Sequence, residues 1–162
     1  MLVHIKCLAL PGVLSVMRRA QPGERIGRID CDSLARVLSE HPIRLTILFG
    51  SYVRGESIPS SDIDLAVEFE RSVSDREYHD TYLALMADLM STTGQNSVDL
   101  TDLRDLRPEI GASALAEGVV LAGPLTRAER HRDGFERAAS ELPSRTRRER
   151  FDKLLSRMEG IV

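Results

Sequence analysis

Apolar and polar positions along this chain change period several times, and each change marks an element. Leu34, Val37 and Leu38 recur at helical spacing after Asp30 and Asp32, either of which can cap, and the pattern stops before Pro42. A first helix is predicted there. An apolar run over about 44–49 then predicts a strand, followed by a short helix after Ser51, a loop around Pro59 and a second strand over Ile63–Phe69. Ser74 or Asp75 opens a long helix whose Tyr78, Tyr82, Leu85 and Leu89 share one stripe, ending near Gly94. A third strand is expected at about 97–101. Pro108 suits the first turn of a further helix that closes at Gly118, with a short extended stretch at 119–121 after it.

The ends of the chain read differently from this middle. Thr126-Arg127-Ala128-Glu129 and Thr146-Arg147-Arg148-Glu149 each have the form of a capping box, so two helices are expected, separated by Pro143-Ser144. The second carries Phe151, Leu154, Leu155 and Met158 on one side and Arg and Glu on the other. Residues 1–29 read as a peripheral or poorly ordered lead-in. Their apolar flavour resembles a signal peptide, but Lys6 lies inside the run and Pro11-Gly12 breaks it. It is too short and interrupted to span a membrane. The expected organisation is a lead-in at 1–29, a mixed α/β domain at 30–123 and a helical C-terminal extension at 124–162.

Composition narrows the options. With 162 residues, 42% of them hydrophobic, the chain can bury a core of one ordinary domain. The formal charge of -3 argues against a broadly basic surface, and no direct nucleic-acid binding is expected. Cys7 and Cys31 match no metal-ligand spacing, and reduced thiols point to a cytoplasmic protein.

Most of the chemistry lies in residues 48–67, LFGSYVRGESIPSSDIDLAV. Side chains alternate faces along a strand, so Asp62 and Asp64 project together while Ile63, Leu65 and Val67 follow another pattern of burial. Two carboxylates so close repel each other unless a cation sits between them. Mg²⁺ prefers carboxylate oxygen and commonly arrives with a substrate's phosphates. Gly50 allows a sharp turn and close ligand approach, and Ser51 opens the short helix, whose free N–H groups favour phosphate oxygens. Arg54, three residues beyond Ser51, can reach a triphosphate or pair with Glu56 or Asp62. Gly-Ser and Asp-x-Asp are each weak signals alone. Ten residues apart and between two strands, they make a nucleoside-triphosphate site.

This combination resembles the nucleotidyltransferases of the DNA polymerase beta superfamily, and with Arg54-Gly55-Glu56 and Ser60-Ser61 it is most similar to the minimal nucleotidyltransferases. The resemblance covers roughly residues 30–123. It implies a small sheet flanked by helices, a third carboxylate on a neighbouring strand, and two Mg²⁺ ions with ATP as substrate. Asp99, between Val98 and Leu100, meets the requirement for the third carboxylate, with Asp102 and Asp105 as nearby rivals. Asp102 is expected at a strand end or helix start, as a cap. The resemblance further implies an antitoxin that moves AMP to a hydroxyl, a tyrosine above all, of a separately encoded HEPN ribonuclease toxin with which it forms a hetero-oligomer.

Two other functions compete. One is a binding-only antitoxin that covers the toxin's site; the other is an enzyme that modifies a small molecule such as an aminoglycoside. The chain carries no obvious second substrate-binding domain, which counts against the latter. Arg36 and His41 match a HEPN ribonuclease spacing, but that family is all-helical and the match is read as chance. Tyr52 and Tyr82 read as core or rim residues, and His79 and His131 as solvated helix residues.

Overall fold

A computed structural model describes residues 16–94 and 97–141. Cys7 and the last predicted helix lie outside the described residues. Five strands form the main sheet: β1 (Arg18–Arg19), β4 (Ile43–Phe49), β5 (Ile63–Phe69), β6 (Val98–Asp102) and β7 (Val119–Ala122), in the order β1-β7-β4-β5-β6. A hairpin of β2 (Arg25–Ile26) and β3 (Ile29–Asp30) stands apart from it. Strand β5 runs antiparallel to β4 and parallel to β6.

Helices cover both faces of the sheet, as strand alternation demands of a sheet apolar on both sides. α1 (Cys31–Ser39) and α3 (Asp75–Thr93) pack on one face, where Leu34, Leu38, Leu85 and Leu89 meet Ile63, Leu65 and Val67. α4 (Pro108–Glu117) and α5 (Leu125–Glu141) cover the other, where Ala114, Leu115 and Ala128 meet Leu45, Ile47 and Ala66. The four-residue α2 (Ser51–Arg54) links β4 to the loop before β5.

Local chemistry explains most boundaries. The Asp30 carboxylate accepts from the Ser33 N–H at 3.0 Å and so caps α1. Ser74 and Glu77 form a reciprocal capping box on α3, and Pro108 occupies the first turn of α4, where its missing N–H costs nothing. The capping box expected at Thr126 does not form. α5 already begins at Leu125, with the Pro124 carbonyl accepting from the Arg127 N–H at 3.0 Å, so Thr126 lies inside the first turn. Close packing then fixes α5 on α4: a Cβ at Gly111 would stand 2.5 Å from Cδ1 of Phe135.

The lead-in takes part in the fold from residue 16 onward. β1 pairs parallel with β7, and Met17 is buried in the core beneath α4 and α5. Two-residue strands have no period to read, so this edge is invisible in the pattern of the chain.

Candidate active site

β4 ends at Phe49, and Gly50 then turns the chain with φ 78° and ψ -152°, a region open almost only to glycine. The turn delivers Ser51 to the start of α2 and brings the Gly50 backbone against the strand beside it. A Cβ at Gly50 would run into the Asp64 carboxylate. The Gly-Ser turn and the Asp-x-Asp segment are therefore in contact, although ten residues separate them along the chain.

β5 and β6 run parallel in a register that sets Asp64 opposite Asp99, on strands about 4.8 Å apart. Asp62 precedes β5 by one residue and is exposed; Asp99 is exposed too, and Asp64 is half-buried. Burial pushes the Asp64 carboxyl above the usual aspartate range, the negative charges of Asp99 and Asp62 push it further, and Arg54 opposes them. Asp62 and Asp99 thus lie near enough for their charges to act on Asp64. Among the described residues none of them has an ion pair.

Arg54 points its Nε at Glu56, 2.8 Å away, and this hydrogen bond raises its already high pKa. It also borders a cleft of 320 Å³ beside Asp64, with Phe49, Gly50, Ser113 and Glu117 around it. Both readings of Arg54 are therefore present in its position: ion pair now, and reach into the cleft. Glu109 and Glu117 of α4 line the same cleft and were not singled out from sequence. Glu109 stands in a first helical turn, where an acid is ordinary, so nothing local marked it.

The rivals of Asp99 lie elsewhere. Asp102 ends β6 with 2% exposure and is held by Arg104, whose backbone N–H donates at 2.9 Å and whose Nη2 donates at 2.9 Å. Its charge serves to close the turn after the strand. His131 is not the solvated residue expected: its Nε2 lies 3.0 Å from Glu68, sixty-three positions away. Tyr52 is core at 4% exposure, and the Tyr82 hydroxyl donates to the Leu100 carbonyl at 2.6 Å. The Cys31 thiol is buried and free, and burial lifts it to about 11, so it is not a nucleophile.

The donors suit Mg²⁺ in kind, being carboxylate oxygens that the protein itself leaves uncompensated. Among the described residues, no group of three or more His, Cys, Asp or Glu is placed to hold a metal ion by itself. Mg²⁺ in nucleotide sites is commonly shared between one or two carboxylates and the substrate's phosphates.

The family model described as polymerase beta nucleotidyltransferase matches residues 32–124, and the chain belongs to that family. Among solved structures it is similar to a chain of a toxin-antitoxin complex with AMP-PNP, at 23% identity and a TM-score of 0.63, covering 78% of this chain and 99% of that one. A chain of the MntA-HepT toxin-antitoxin complex matches at 21% identity and a TM-score of 0.55, covering 77% and 96%. A chain of a complex between a tri-AMPylated Shewanella oneidensis HEPN toxin and an MNT antitoxin matches at 22% identity and 0.55, covering 77% and 95%. At these identities the likeness establishes the shared fold. No curated protein matches the chain. No helix among the described residues is long and apolar enough to cross a membrane.

Proposed function

We propose that this chain moves AMP from Mg²⁺-bound ATP to a hydroxyl of a separate protein, a tyrosine of a HEPN ribonuclease toxin, and so acts as the toxin's antitoxin. The observation that carries the reading is the half-buried Asp64 against the Gly50 turn, its carboxyl raised by burial and by the charges of Asp99 and Asp62, with no ion pair among the described residues. Similarity of fold to chains from MNT antitoxin complexes, one of which contains an AMPylated HEPN toxin, supports the choice of acceptor.

In this reading Gly50 and Ser51 receive the triphosphate, and Arg54 exchanges Glu56 for a phosphate oxygen. Asp62, Asp64 and Asp99 are the residues that would hold Mg²⁺, which when bound neutralises the phosphates and makes the attacking hydroxyl more acidic. The acceptor oxygen attacks the α-phosphorus, the bond to pyrophosphate breaks, and the hydroxyl proton passes to Asp99. Exposure of Asp99 suits it to meet a proton on a macromolecular acceptor arriving from solvent. Asp64, half-buried behind it, suits the role of fixed ligand.

Mixing this chain with about a tenfold excess of toxin leaves most toxin unbound under any tight one-to-one complex. With ATP and Mg²⁺, ribonuclease activity should be lost throughout the excess, and the toxin should gain the mass of AMP. A toxin that stays equally active with and without ATP, and unmodified, would refute transfer and leave a binding-only antitoxin.

A further inference from the structure

A residue outside the family-matched segment ties α2 to the loop that leads into Asp62. Arg28 sits in the turn of the β2–β3 hairpin, after Gly27, whose φ of 58° tightens that turn. Its Nε donates to the Tyr52 hydroxyl at 2.7 Å, and its Nη2 donates to the Pro59 carbonyl at 2.7 Å. Tyr52 follows Ser51 directly on α2, whereas Pro59 belongs to the loop that leads into Asp62. One planar guanidinium therefore holds both the phosphate-side turn and the approach to the carboxylate pair.

The need for such a tie is physical. A four-residue helix has no stability of its own in water, so the direction of α2 must come from tertiary contacts. Tyr52 supplies the anchor: its ring is buried in the core together with Ile26 and Ile29 of the hairpin. Gly27 lets the hairpin approach, because a Cβ there would stand 3.3 Å from Cδ1 of Tyr52. The guanidinium carbon lies 5.8 Å from the centre of the same ring. The loop beyond α2 is otherwise closed on itself, with the Ile58 N–H donating to Ser61 Oγ at 2.8 Å and the Ser61 N–H to the Ile58 carbonyl at 2.9 Å. Arg28 ties the far side of this loop to α2.

We propose that Arg28 is a positioning residue for nucleotidyl transfer, holding α2 and the loop that leads into Asp62 in a fixed relation, whereas Asp64 is set against Gly50 by the pairing of β4 with β5. Arg28 acts through its contacts with Tyr52 and Pro59. The inference rests on the nucleotidyltransferase reading for its rate consequences, but the tie between α2 and the loop stands independently of that reading. Lysine cannot replace it, since a single ammonium lacks the two fixed donor directions that span Tyr52 and Pro59.

The test compares wild type with Arg28→Ala, Arg28→Lys, Tyr52→Phe and the Arg28→Ala/Tyr52→Phe double variant, each normalised to folded protein. Transfer of AMP to the HEPN-type acceptor and amide hydrogen exchange are both measured. Misplacement of reacting groups by about 1 Å can cost on the order of a hundredfold in rate. Arg28→Ala should lose about that much of kcat, and KM for ATP should rise as well, because α2 carries Ser51 and Arg54. Arg28→Lys should recover only part of the rate. Tyr52→Phe should lose less, and the double variant no more than Arg28→Ala alone, the signature of one shared contact. A kcat for Arg28→Ala equal to wild type would overturn the proposal, since a merely structural role lowers melting temperature and leaves the rate per folded molecule alone. If wild type itself transfers nothing, the functional reading fails, and exchange decides the inference. Faster exchange at 51–54 and 57–62 in Arg28→Ala upholds the tie, and unchanged exchange there refutes it.

Discussion

Strand β5 carries two carboxylates on one face, Asp64 and Glu68, and the protein treats them in opposite ways. Around Glu68 it has gathered three basic side chains: Arg127 at 3.1 Å, His131 at 3.0 Å and Arg44 at 3.8 Å. Burial works against the Glu68 charge, yet the His131 and Arg127 contacts outweigh it and hold the carboxyl below the usual glutamate range. Four residues earlier, Asp64 is also partly buried, but two more aspartates face it, Arg54 opposes them only from a distance, and its carboxyl is raised. Among the described residues, the fold sets cations in contact with one end of the strand and none against the other. The contrast separates a carboxylate that serves the structure, clamping α5 to the sheet, from one whose charge the described residues leave unpaired, as the proposed function requires.

The comparison breaks most severely if the Asp62→Asn/Asp64→Asn double variant keeps its activity. Asparagine preserves size and hydrogen bonding but removes the charge that, in the proposed function, would hold Mg²⁺. AMP transfer should fall to background, read by intact mass of the acceptor. The fold should survive, and Asp64→Asn alone should raise the melting temperature slightly, because it relieves a desolvated carboxylate pressed by like charges. A variant that still transfers at the wild-type rate would remove the reason for reading this end of β5 as functional.

Gly50→Ala comes next. The backbone conformation there costs about 1–3 kcal/mol for a residue with a Cβ, and the Cβ also meets the Asp64 carboxylate. We expect ATP binding, followed by calorimetry with a non-hydrolysable analogue and Mg²⁺, to be lost while circular dichroism stays native. Affinity equal to wild type would mean that the turn serves the chain alone.

Glu68→Gln sharpens the contrast from the other side. Loss of charge-assisted hydrogen bonds at a half-buried site should destabilise by about 1–3 kcal/mol, opposite in sign to Asp64→Asn. The pH dependence follows from the lowered carboxyl. Its contribution is present in full above the ordinary glutamate range, and it is lost as pH falls through the depressed folded-state value. Denaturant titrations at neutral and acid pH should therefore show the variant's deficit shrinking towards acid. A deficit independent of pH would locate the effect in packing instead of charge.

Elements with a local signature are legible in the order of residues alone. Ile63–Phe69 is bounded by the Pro59 loop and alternates faces, and α3 announces itself through Ser74, Glu77 and a continuous apolar stripe. Asp62, Asp64, Gly50 and Ser51 can be chosen because the succession of residue types along the chain carries the chemistry. Capping is less dependable: at Thr126 the motif is present, but Pro124 has already opened the helix.

What the sequence determined by itself was the period of each segment, its caps and the residue types available for chemistry, all of which depend on neighbours within a few positions. Only the tertiary structure decided which charges meet. Asp64 lies opposite Asp99 because β5 and β6 pair in parallel with that register, and Glu68 finds His131 because α5 crosses the same sheet face. Arg28 bridges Tyr52 and Pro59 for the same reason: its hairpin packs beneath a helix too short to orient itself. Such encounters follow from the directions in which side chains leave packed surfaces, and no local window of sequence contains those directions.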